Sequence, residues 1–303
     1  MCRTKLGLGT VQLGLPYGIA NQTGKPNKQE AFEILARAAN AGITCFDTAS
    51  AYGDSEALIG EFLAEGGFKG RFEISTKIKS VEASDKDDLR EQMEREAEQS
   101  LKRLGLRTLD YLLLHNSGDL RRYGSDIAAV GQELVENGLI RQFGVSVYSP
   151  EDVELCLSYD SISVIQIPFN ILDDRLIERS LLPRLREKGV TVHARSAYLQ
   201  GLILMDSKEL PGHLIQAQPY LARLEAECEK RGLSKKQLAF CYVRDNPNID
   251  NFFIGCETLE QLNETIELNK LPELPQEELH ELGGLFKDIP ENILDPSQWK
   301  PVS

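Results

Sequence analysis

Four side chains of this sequence could move a proton together. Asp47, Lys77 and His115 each end a short run typical of a β-strand, and Tyr52 lies five residues beyond Asp47. A phenol is a weak acid at neutral pH, and a neighbouring ammonium lowers its pKa toward the working range. A carboxylate keeps a buried ammonium charged, and an imidazole can orient a carbonyl oxygen or relay its proton to the phenol. These residue types predict a proton donor directed at a carbonyl, which suits hydride delivery.

Taken singly, the same residues also fit structural roles. Asp47 could cap the following turn, Tyr52 could be an amphipathic residue at a rim, and a lone Lys or His at a strand end could be structural. The coincidence of three such residues at successive strand ends, with Tyr52 in the adjacent loop, favours the chemical interpretation.

Eight short runs rich in Val, Ile and Phe alternate with longer amphipathic stretches. The predicted strands are Lys5–Leu8, Thr44–Asp47, Phe72–Lys77, Tyr111–His115, Gln142–Ser146, Val164–Ile167, Thr191–Arg195 and Asn251–Ile254. Strands that alternate with helices imply a parallel sheet with right-handed crossovers. We therefore predict an α/β protein with a (β/α)8 TIM barrel, in which residues at the carboxyl ends of the strands meet at one mouth.

An open doubly wound sheet is the alternative arrangement of such elements. Its usual sign is Gly-x-Gly-x-x-Gly at the start of a helix. The nearest sequence, residues 7–12, has Gln12 where the third glycine belongs, and no helix start follows directly. Helix starts occur elsewhere. They are the capping boxes Asn27–Glu30, Ser234–Gln237 and Thr258–Gln261, and the pair Ser149-Pro150.

The organisation of the chain predicts one domain. No linker rich in Ser, Gly or Pro divides its 303 residues, so the predicted domain is 1–303, with the barrel over about 5–271 and a tail over 272–303. The tail carries one predicted helix, Gln276–Lys287, among several prolines. We expect it to pack outside the barrel, with Trp299 as an anchor.

Composition and charge limit the partners. Lys+Arg 34 and Asp+Glu 47 give a net charge of −13. Nucleic acid is bound by clustered Lys and Arg, so no nucleic-acid partner is expected, and an anionic membrane surface is disfavoured by the same sign. The N-terminal residues lack the apolar segment of a signal peptide, and no run approaches the roughly 18 apolar residues of a membrane helix. We expect a cytoplasmic protein.

Cysteine and histidine spacing gives no sign of a metal site. The six cysteines form no Cys-x-x-Cys pair, and the four histidines have no His or Cys partner at ligand spacing. We expect reduced thiols in the core and no metal.

Three segments resemble the aldo-keto reductase superfamily in residue type and in order. They are Phe46–Glu56 (FDTASAYGDSE), Ser75–Lys77 and Leu113–His115. The resemblance extends from about Gly7 to about Leu268. It implies reversible, NAD(P)-dependent reduction of an aldehyde or ketone, with the cofactor bound in an extended pose.

The resemblance also implies roles for the four residues. Tyr52 would be the general acid, Lys77 would lower the pKa of Tyr52, Asp47 would hold Lys77, and His115 would orient the carbonyl. The substrate would be a small carbonyl compound, and the family favours a monomer.

The same resemblance implies a set of cofactor contacts at the strand ends. Ser146 and Gln166 match positions that bind the nicotinamide carboxamide, residues 196–202 match a pyrophosphate loop, and residues 254–261 match the adenosine end. The expected contacts are Gly9, Thr10, Ser146, Gln166, Arg195, Ser196, Leu199, Gly201, Gly255 and Gln261. Gln261 also fits a capping box, and the glycines at 201 and 255 also fit ordinary turns.

Two residues depart from the family pattern near the expected nicotinamide. Arg195 replaces an aromatic residue that commonly stacks on the ring, and a guanidinium could either stack there or bind an anionic group of the substrate. Val147 replaces an Asn that often follows the serine, which removes one carboxamide contact.

The third departure bears on the choice between NADPH and NADH. The sequence after Gly255 is Cys-Glu-Thr, without the Lys or Arg that would bind a 2′-phosphate, and Glu257 would repel that group. Acceptance of NADH, or weak discrimination, is our hypothesis.

The loop after His115 lacks a bulky aromatic residue, and with Asn116 and Arg195 it favours a polar carbonyl, such as a sugar-derived aldehyde. Two other functions stay open. One is a lyase, epimerase or dehydratase that keeps the proton machinery. The other is a regulatory protein that binds the nucleotide, as the potassium-channel β subunits of this fold suggest.

Overall fold

Eight parallel strands close into a barrel in the order of the chain. The structure is a computed structural model and describes residues 5–18, 21, 23–68 and 70–299. The strands are β1 (Lys5–Gly9), β2 (Cys45–Asp47), β3 (Glu73–Ile78), β4 (Leu109–Leu114), β5 (Ile140–Ser146), β6 (Val164–Pro168), β7 (Thr191–Arg195) and β8 (Asn251–Gly255). The predicted (β/α)8 barrel is confirmed. The strand predicted to end at His115 ends one residue earlier, so His115 begins the loop after β4.

Helices connect the strands and cover the outside of the barrel. The α-helices are α1 (Val11–Gly14), α2 (Lys28–Asn40), α3 (Ser55–Glu65), α4 (Lys86–Leu104), α5 (Ser117–Tyr123), α6 (Ser125–Glu136), α7 (Pro150–Cys156), α8 (Arg175–Glu178), α9 (Leu181–Glu187), α10 (Gln218–Arg231), α11 (Lys235–Arg244), α12 (Leu259–Leu268), α13 (Gln276–Leu282) and α14 (Glu291–Leu294). Short 3-10 helices cover Leu199–Leu204, Gly212–Ala217 and Pro296–Gln298.

Strand periodicity separates two kinds of environment. Successive side chains of a strand face opposite sides of the sheet, so Phe46 belongs to the large apolar core shared with the helices while its neighbour Asp47 faces inward. A separate small cluster fills part of the barrel interior. It consists of Cys45, Tyr111, Leu113, Val164 and Phe253. The catalytic candidates lie at the carboxyl end of this interior.

Most predicted helix starts are found with their capping chemistry. Complete capping boxes begin α2 at Asn27 and α11 at Ser234, and Pro150 follows the N-cap serine of α7. The predicted box at Thr258 is only half formed. The Thr258 hydroxyl accepts from the backbone of Gln261, but the side chain of Gln261 accepts from a backbone N–H one residue before the cap.

The tail packs outside the barrel, as expected, but its helix is shorter than predicted. The helix α13 ends at Leu282 because two glycines follow, and glycine loses more backbone entropy in a helix than other residues. Arg223 of α10 holds the tail through the carboxylate of Asp288, at 2.9 Å, and the carbonyl of Leu285, at 2.6 Å. The indole N–H of Trp299 donates to the carbonyl of Asn292 at 3.1 Å.

The cysteines within the described residues are buried thiols. They are Cys45, Cys156, Cys228, Cys241 and Cys256; Cys2 lies outside the described residues. Among the helices of residues 5–299 that the structure describes, none combines the length and apolarity that crossing a membrane requires.

Candidate active site

A buried ion pair forms the base of the site. The ammonium nitrogen of Lys77 lies 2.7 Å from each carboxylate oxygen of Asp47 and 2.9 Å from the carbonyl oxygen of Thr48. The side chain of Lys77 is 1% exposed. Burial lowers the pKa of Lys77, and the carboxylate of Asp47 opposes that shift. The three protons of the ammonium therefore meet three acceptors.

The phenol and the imidazole stand beside this pair. Lys77 Nζ lies 5.1 Å from the centroid of the Tyr52 ring. The rings of Tyr52 and His115 meet edge to face, with centroids 5.6 Å apart and planes at 82°. Strand ends β2, β3 and β4 supply three of the four groups, and the loop between β2 and α3 supplies Tyr52. The sequence prediction that these four groups converge agrees with this geometry.

The loop that carries Tyr52 is held by an unusually close backbone contact. A Cβ added at Gly14 would lie 1.8 Å from the carbonyl oxygen of Tyr52. The N–H of Tyr52 donates to Ala49, and the N–H of Ser55 donates to Tyr52. Only glycine lets α1 approach the loop this closely, so residue 14 helps to fix the position of the phenol.

The pKa of Tyr52 does not follow the sequence expectation. Burial raises it above its usual value, the carboxylate of Asp47 raises it further, and the charge of Arg195 opposes the shift. The expected lowering by Lys77 is not found, and the ammonium of Lys77 donates its hydrogen bonds to the carboxylate of Asp47 and the carbonyl of Thr48 instead. Tyr52 therefore keeps its proton in this state, and the phenol is a donor rather than a base.

His115 is neutral at physiological pH. Burial, and then the charge of Lys77, lower the pKa of His115 to about 4. A neutral imidazole can donate or accept a hydrogen bond, so His115 can orient a carbonyl oxygen. The other role that the sequence left open, relay of a proton to the phenol, would start from the neutral imidazole.

Gln166 connects the ion pair to the cavity. Its amide nitrogen donates to Asp47 Oδ1 at 2.8 Å, and its carbonyl oxygen is buried without a hydrogen-bond partner among the described residues. Ser146 lies directly opposite on β5. A buried acceptor needs a donor, and the amide N–H2 of a nicotinamide carboxamide is a donor of the right type. These residues therefore fit the cofactor that the sequence predicts.

One cavity of about 450 Å³ brings most of the predicted site together at the carboxyl ends of the strands. The predicted residues that line it are Gly9, Thr10, Asp47, Tyr52, His115, Ser146, Gln166, Arg195, Ser196, Gly201, Gly255 and Gln261. Lys77 lies beneath the wall. Leu199 does not line the cavity, because its side chain is 1% exposed and packs in the apolar core. The predicted contact of Leu199 with the cofactor would therefore have to come from its backbone, and it stays a prediction.

The loop after β7 has a strained backbone. Ser196, Leu199 and Gln200 have φ of 63°, 47° and 52°, and Gly201 has φ of 101°. Left-handed φ in residues other than glycine costs roughly 1–2 kcal/mol each. Such strain clusters at ligand sites. This segment forms one wall of the cavity, in accord with the predicted pyrophosphate loop.

At the other end of the cavity, Gln261 is largely committed to its own loop. Its side-chain oxygen accepts from the N–H of Glu257 at 2.9 Å, and its N–H donates to Thr258 at 3.2 Å. The structural role that the sequence left open is therefore present. A Cβ at Gly255 would lie 2.3 Å from Gln12 Oε1, an orphaned buried acceptor among the described residues. A larger residue at 255 would therefore displace the amide of Gln12 from this part of the wall.

Sequence reasoning missed several residues of the cavity wall. They are Gln12, Tyr17, Tyr148, Gln200 and Lys236. Lys236, on α11, contributes a cation beside Glu257 and forms an ion pair with Glu264 of α12. Tyr148 could have been found, because it lies two residues beyond Ser146. Lys236 comes from a helix start and had no signal in its surrounding sequence.

Comparison with known proteins identifies the family. The model of the aldo/keto reductase family matches residues 5–285. Aldo-keto reductase YhdN of Bacillus subtilis (strain 168) is 29% identical over 205 residues, which cover 66% of this chain and 60% of YhdN, less than two thirds of its length. The NADH-specific methylglyoxal reductase of Escherichia coli (strain K12) is 24% identical over 295 residues, 87% of this chain and 89% of that protein.

Solved structures agree with this match. An aldo/keto reductase from Klebsiella pneumoniae, in complex with NADP and acetate, is 25% identical with a TM-score of 0.69, covering 93% of this chain and 90% of that one. The holo form of an aldo-keto reductase from Bacillus halodurans shares the fold, with 22% identity and a TM-score of 0.74, covering 97% and 96%. The chain therefore belongs to the aldo/keto reductase family.

Proposed function

We propose that this protein reduces polar aldehydes or ketones with NADH or NADPH, and that Tyr52 is the general acid. The observation that carries the proposal is the buried Asp47–Lys77 pair beneath the Tyr52 ring, with His115 edge-on to the same ring. Burial keeps Tyr52 protonated, which suits a donor. The cavity of about 450 Å³ opens beside the Tyr52 ring.

Each side chain of the site has its own role in the proposed reaction. A bound nicotinamide supplies the hydride that reaches the carbonyl carbon. His115 donates a hydrogen bond to the carbonyl oxygen and orients it. Tyr52 transfers its proton to that oxygen as negative charge develops there, and an alkoxide is basic enough to take a proton from a phenol of raised pKa. The charge of Arg195, which opposes the rise in the pKa of Tyr52, favours the resulting phenolate, and this phenolate regains a proton from water.

The cofactor would lie along the cavity. Gln166 and Ser146 would hold the carboxamide, the strained loop of residues 196–201 would face the pyrophosphate, and Gly255 would leave room at the adenosine end. We propose acceptance of NADH with weak discrimination against NADPH. Lys236 is the cation of this end, but Glu264 neutralises it and Glu257 adds a negative charge. The relative from Escherichia coli is NADH-specific.

The proposal is tested by cofactor binding and by turnover. Fluorescence titration with NADH and with NADPH measures each Kd, and absorbance at 340 nm follows oxidation of the cofactor by methylglyoxal or glyceraldehyde. We expect Tyr52→Phe to lower kcat by about 100-fold or more, the usual scale for a general acid, with the Kd for the cofactor unchanged. Unchanged turnover in Tyr52→Phe would exclude Tyr52 as the acid.

Two outcomes would favour the other functions. Binding of the nucleotide without its net oxidation by any carbonyl compound would favour an epimerase, a lyase or a regulatory protein. An NADPH preference of about tenfold, roughly 1.4 kcal/mol, would mean that Lys236 binds the 2′-phosphate despite its ion pair.

A further inference from the structure

Arg195 ends β7 and places its guanidinium in the wall of the cavity. The guanidinium carbon lies 4.4 Å from the centroid of the Tyr148 ring. One terminal nitrogen donates to the carbonyl of Val147 at 3.0 Å, and the other donates to the hydroxyl of Ser196 at 3.2 Å. The stacking and the two hydrogen bonds hold the plane of the guanidinium in one orientation.

This guanidinium has no carboxylate partner within ion-pair distance among the described residues. Two other arginines do have one: the buried Arg244 pairs with Asp245 at 2.6 Å, and the half-buried Arg175 pairs with Asp173 at 2.8 Å. A guanidinium carries five N–H groups, and the protein acceptors named above occupy two. An oriented and uncompensated cation in the wall of a cavity is a site for a ligand anion.

Arg195 lines the cavity together with Tyr17, Tyr52 and Tyr148, and its charge also acts on Lys77 and His115. Burial raises the pKa of Tyr17 and of Tyr52, and in both cases the charge of Arg195 opposes the shift. Tyr17 receives a hydrogen bond from Gln200 at 3.1 Å. Tyr17 and Tyr148 are 42% and 45% exposed. The cavity therefore combines a cation and hydroxyl groups with open aromatic faces, next to the proposed proton donor.

We propose that Arg195 is an anion subsite for the substrate, and that the preferred substrates are carbonyl compounds bearing a carboxylate or phosphate group. The inference rests on the proposed function, because it names the substrate class of the same cavity. The Tyr148 ring supports the guanidinium. Tyr52 and His115 form hydrogen bonds with the carbonyl oxygen of the substrate whose anionic group binds Arg195. A net charge of −13 would otherwise disfavour an anion, and Arg195 supplies the local attraction.

Two matched substrates test the proposal. Glyceraldehyde 3-phosphate and glyceraldehyde differ only in the phosphate group, and kcat/KM is measured for both. We expect the wild-type protein to prefer the phosphorylated compound. Arg195→Gln should lower the ratio of kcat/KM for glyceraldehyde 3-phosphate to kcat/KM for glyceraldehyde by about 10–100-fold, the scale of a lost charged hydrogen bond. Arg195→Lys keeps the charge without the planar fork and should give an intermediate loss.

A binding measurement separates this proposal from the proposed function. Calorimetry with glycerol 3-phosphate, and with glycerol, on protein saturated with reduced cofactor needs no turnover, because an alcohol cannot accept a hydride. We expect only the phosphate compound to bind, and Arg195→Gln to abolish that binding. If glycerol 3-phosphate binds through Arg195 but no carbonyl compound is reduced, the reductase function fails and the anion subsite stands.

The other anion that Arg195 could meet is the pyrophosphate of the cofactor. Titration with ADP-ribose, which carries the pyrophosphate without the nicotinamide, distinguishes that source. Equal losses for glyceraldehyde and its phosphate in Arg195→Gln, together with weaker binding of ADP-ribose, would overturn the substrate subsite. Circular dichroism and the thermal midpoint of each variant exclude misfolding as the cause.

Discussion

At the scale of single residues, the arrangement of donors decides what the site can do. The sequence was sufficient to predict that Asp47, Lys77 and His115 lie close together, because the strand ends of a parallel barrel meet at one mouth. It could not show that Lys77 directs all its protons to Asp47 and Thr48. The expected fall in the pKa of Tyr52 was therefore wrong in direction, since spacing along a chain does not tell how neighbours share protons.

The ion pair is also a stability determinant. Asp47→Asn leaves the buried ammonium of Lys77 without its carboxylate, which is expected to cost about 3–5 kcal/mol. Lys77→Met in the same chain removes the stranded charge, so the double variant should be more stable than Asp47→Asn alone. Urea unfolding of the two single variants and the double variant measures the coupling. Strictly additive losses would mean that the two charges do not stabilise each other.

Two buried histidines predict a pH dependence of folding. Burial lowers the pKa of His115 and His193 to about 4, below the ordinary 6.5. The unfolded chain takes up these protons as the pH falls below 6.5, and the folded protein resists until about 4. The contribution of each histidine to the free energy of unfolding is thus fully present above pH 6.5, and about 3 kcal/mol of it is lost by pH 4.

Urea midpoints between pH 7 and pH 5 measure this loss. His193→Gln should flatten the dependence, whereas His213→Gln, at an exposed position, should leave it unchanged. A slope that His193→Gln does not alter would show that the buried imidazole takes up its proton in the folded state.

At the scale of elements, the sequence correctly predicted the features that depend on residues close together in the chain. The strands and most helix starts follow from hydrophobic alternation and from side chains within a few residues of each cap. Residues of the cavity wall that come from distant segments could not be predicted from the sequence. Tyr17 and Lys236 reach the cavity only because α1 and α11 pack against the barrel. The tail helix was predicted too long because apolar spacing continues past Leu282 while the glycines end the helix.

The contact between α11 and α12 predicts a change in cofactor preference. Glu264→Gln releases the ammonium of Lys236, and we expect it to lower the Kd for NADPH by about 3–10-fold at low salt, with the Kd for NADH nearly unchanged. Glu267→Gln removes a carboxylate from the same helix that pairs with Lys270 instead, and serves as the matched control. Fluorescence titration measures both constants. An equal change for the two nucleotides would place Lys236 away from the 2′-phosphate.

At the scale of the whole molecule, the tail belongs to the folded unit. Phe286 is fully buried in the apolar core, and Arg223 holds Asp288 beside it. Proline and glycine spacing placed the tail outside the barrel but could not reveal this packing, because a buried ring after two glycines has no periodic neighbours.

Phe286→Ala should cost about 3–5 kcal/mol and preserve a single unfolding transition. Guanidinium unfolding followed by circular dichroism and by tyrosine fluorescence checks both points, with Leu285→Ala, at a partly buried neighbour, as the control. A midpoint unchanged from the wild-type protein, or separate transitions for the two probes, would make the tail an independent attachment.

Chemical labelling of the buried thiols can report the opening of the folded protein. Burial raises the pKa of Cys156 and Cys256 to about 12 and that of Cys228 to about 11. A thiolate is the reactive form, so at neutral pH these sulfurs are both shielded and protonated while the barrel is closed. A short pulse of alkylating reagent, followed by intact-mass measurement, therefore distinguishes molecules that opened during the pulse from molecules that stayed closed. A closed molecule keeps the thiols of Cys156, Cys228 and Cys256 unlabelled, whereas a molecule that opens during the pulse gains several labels at once.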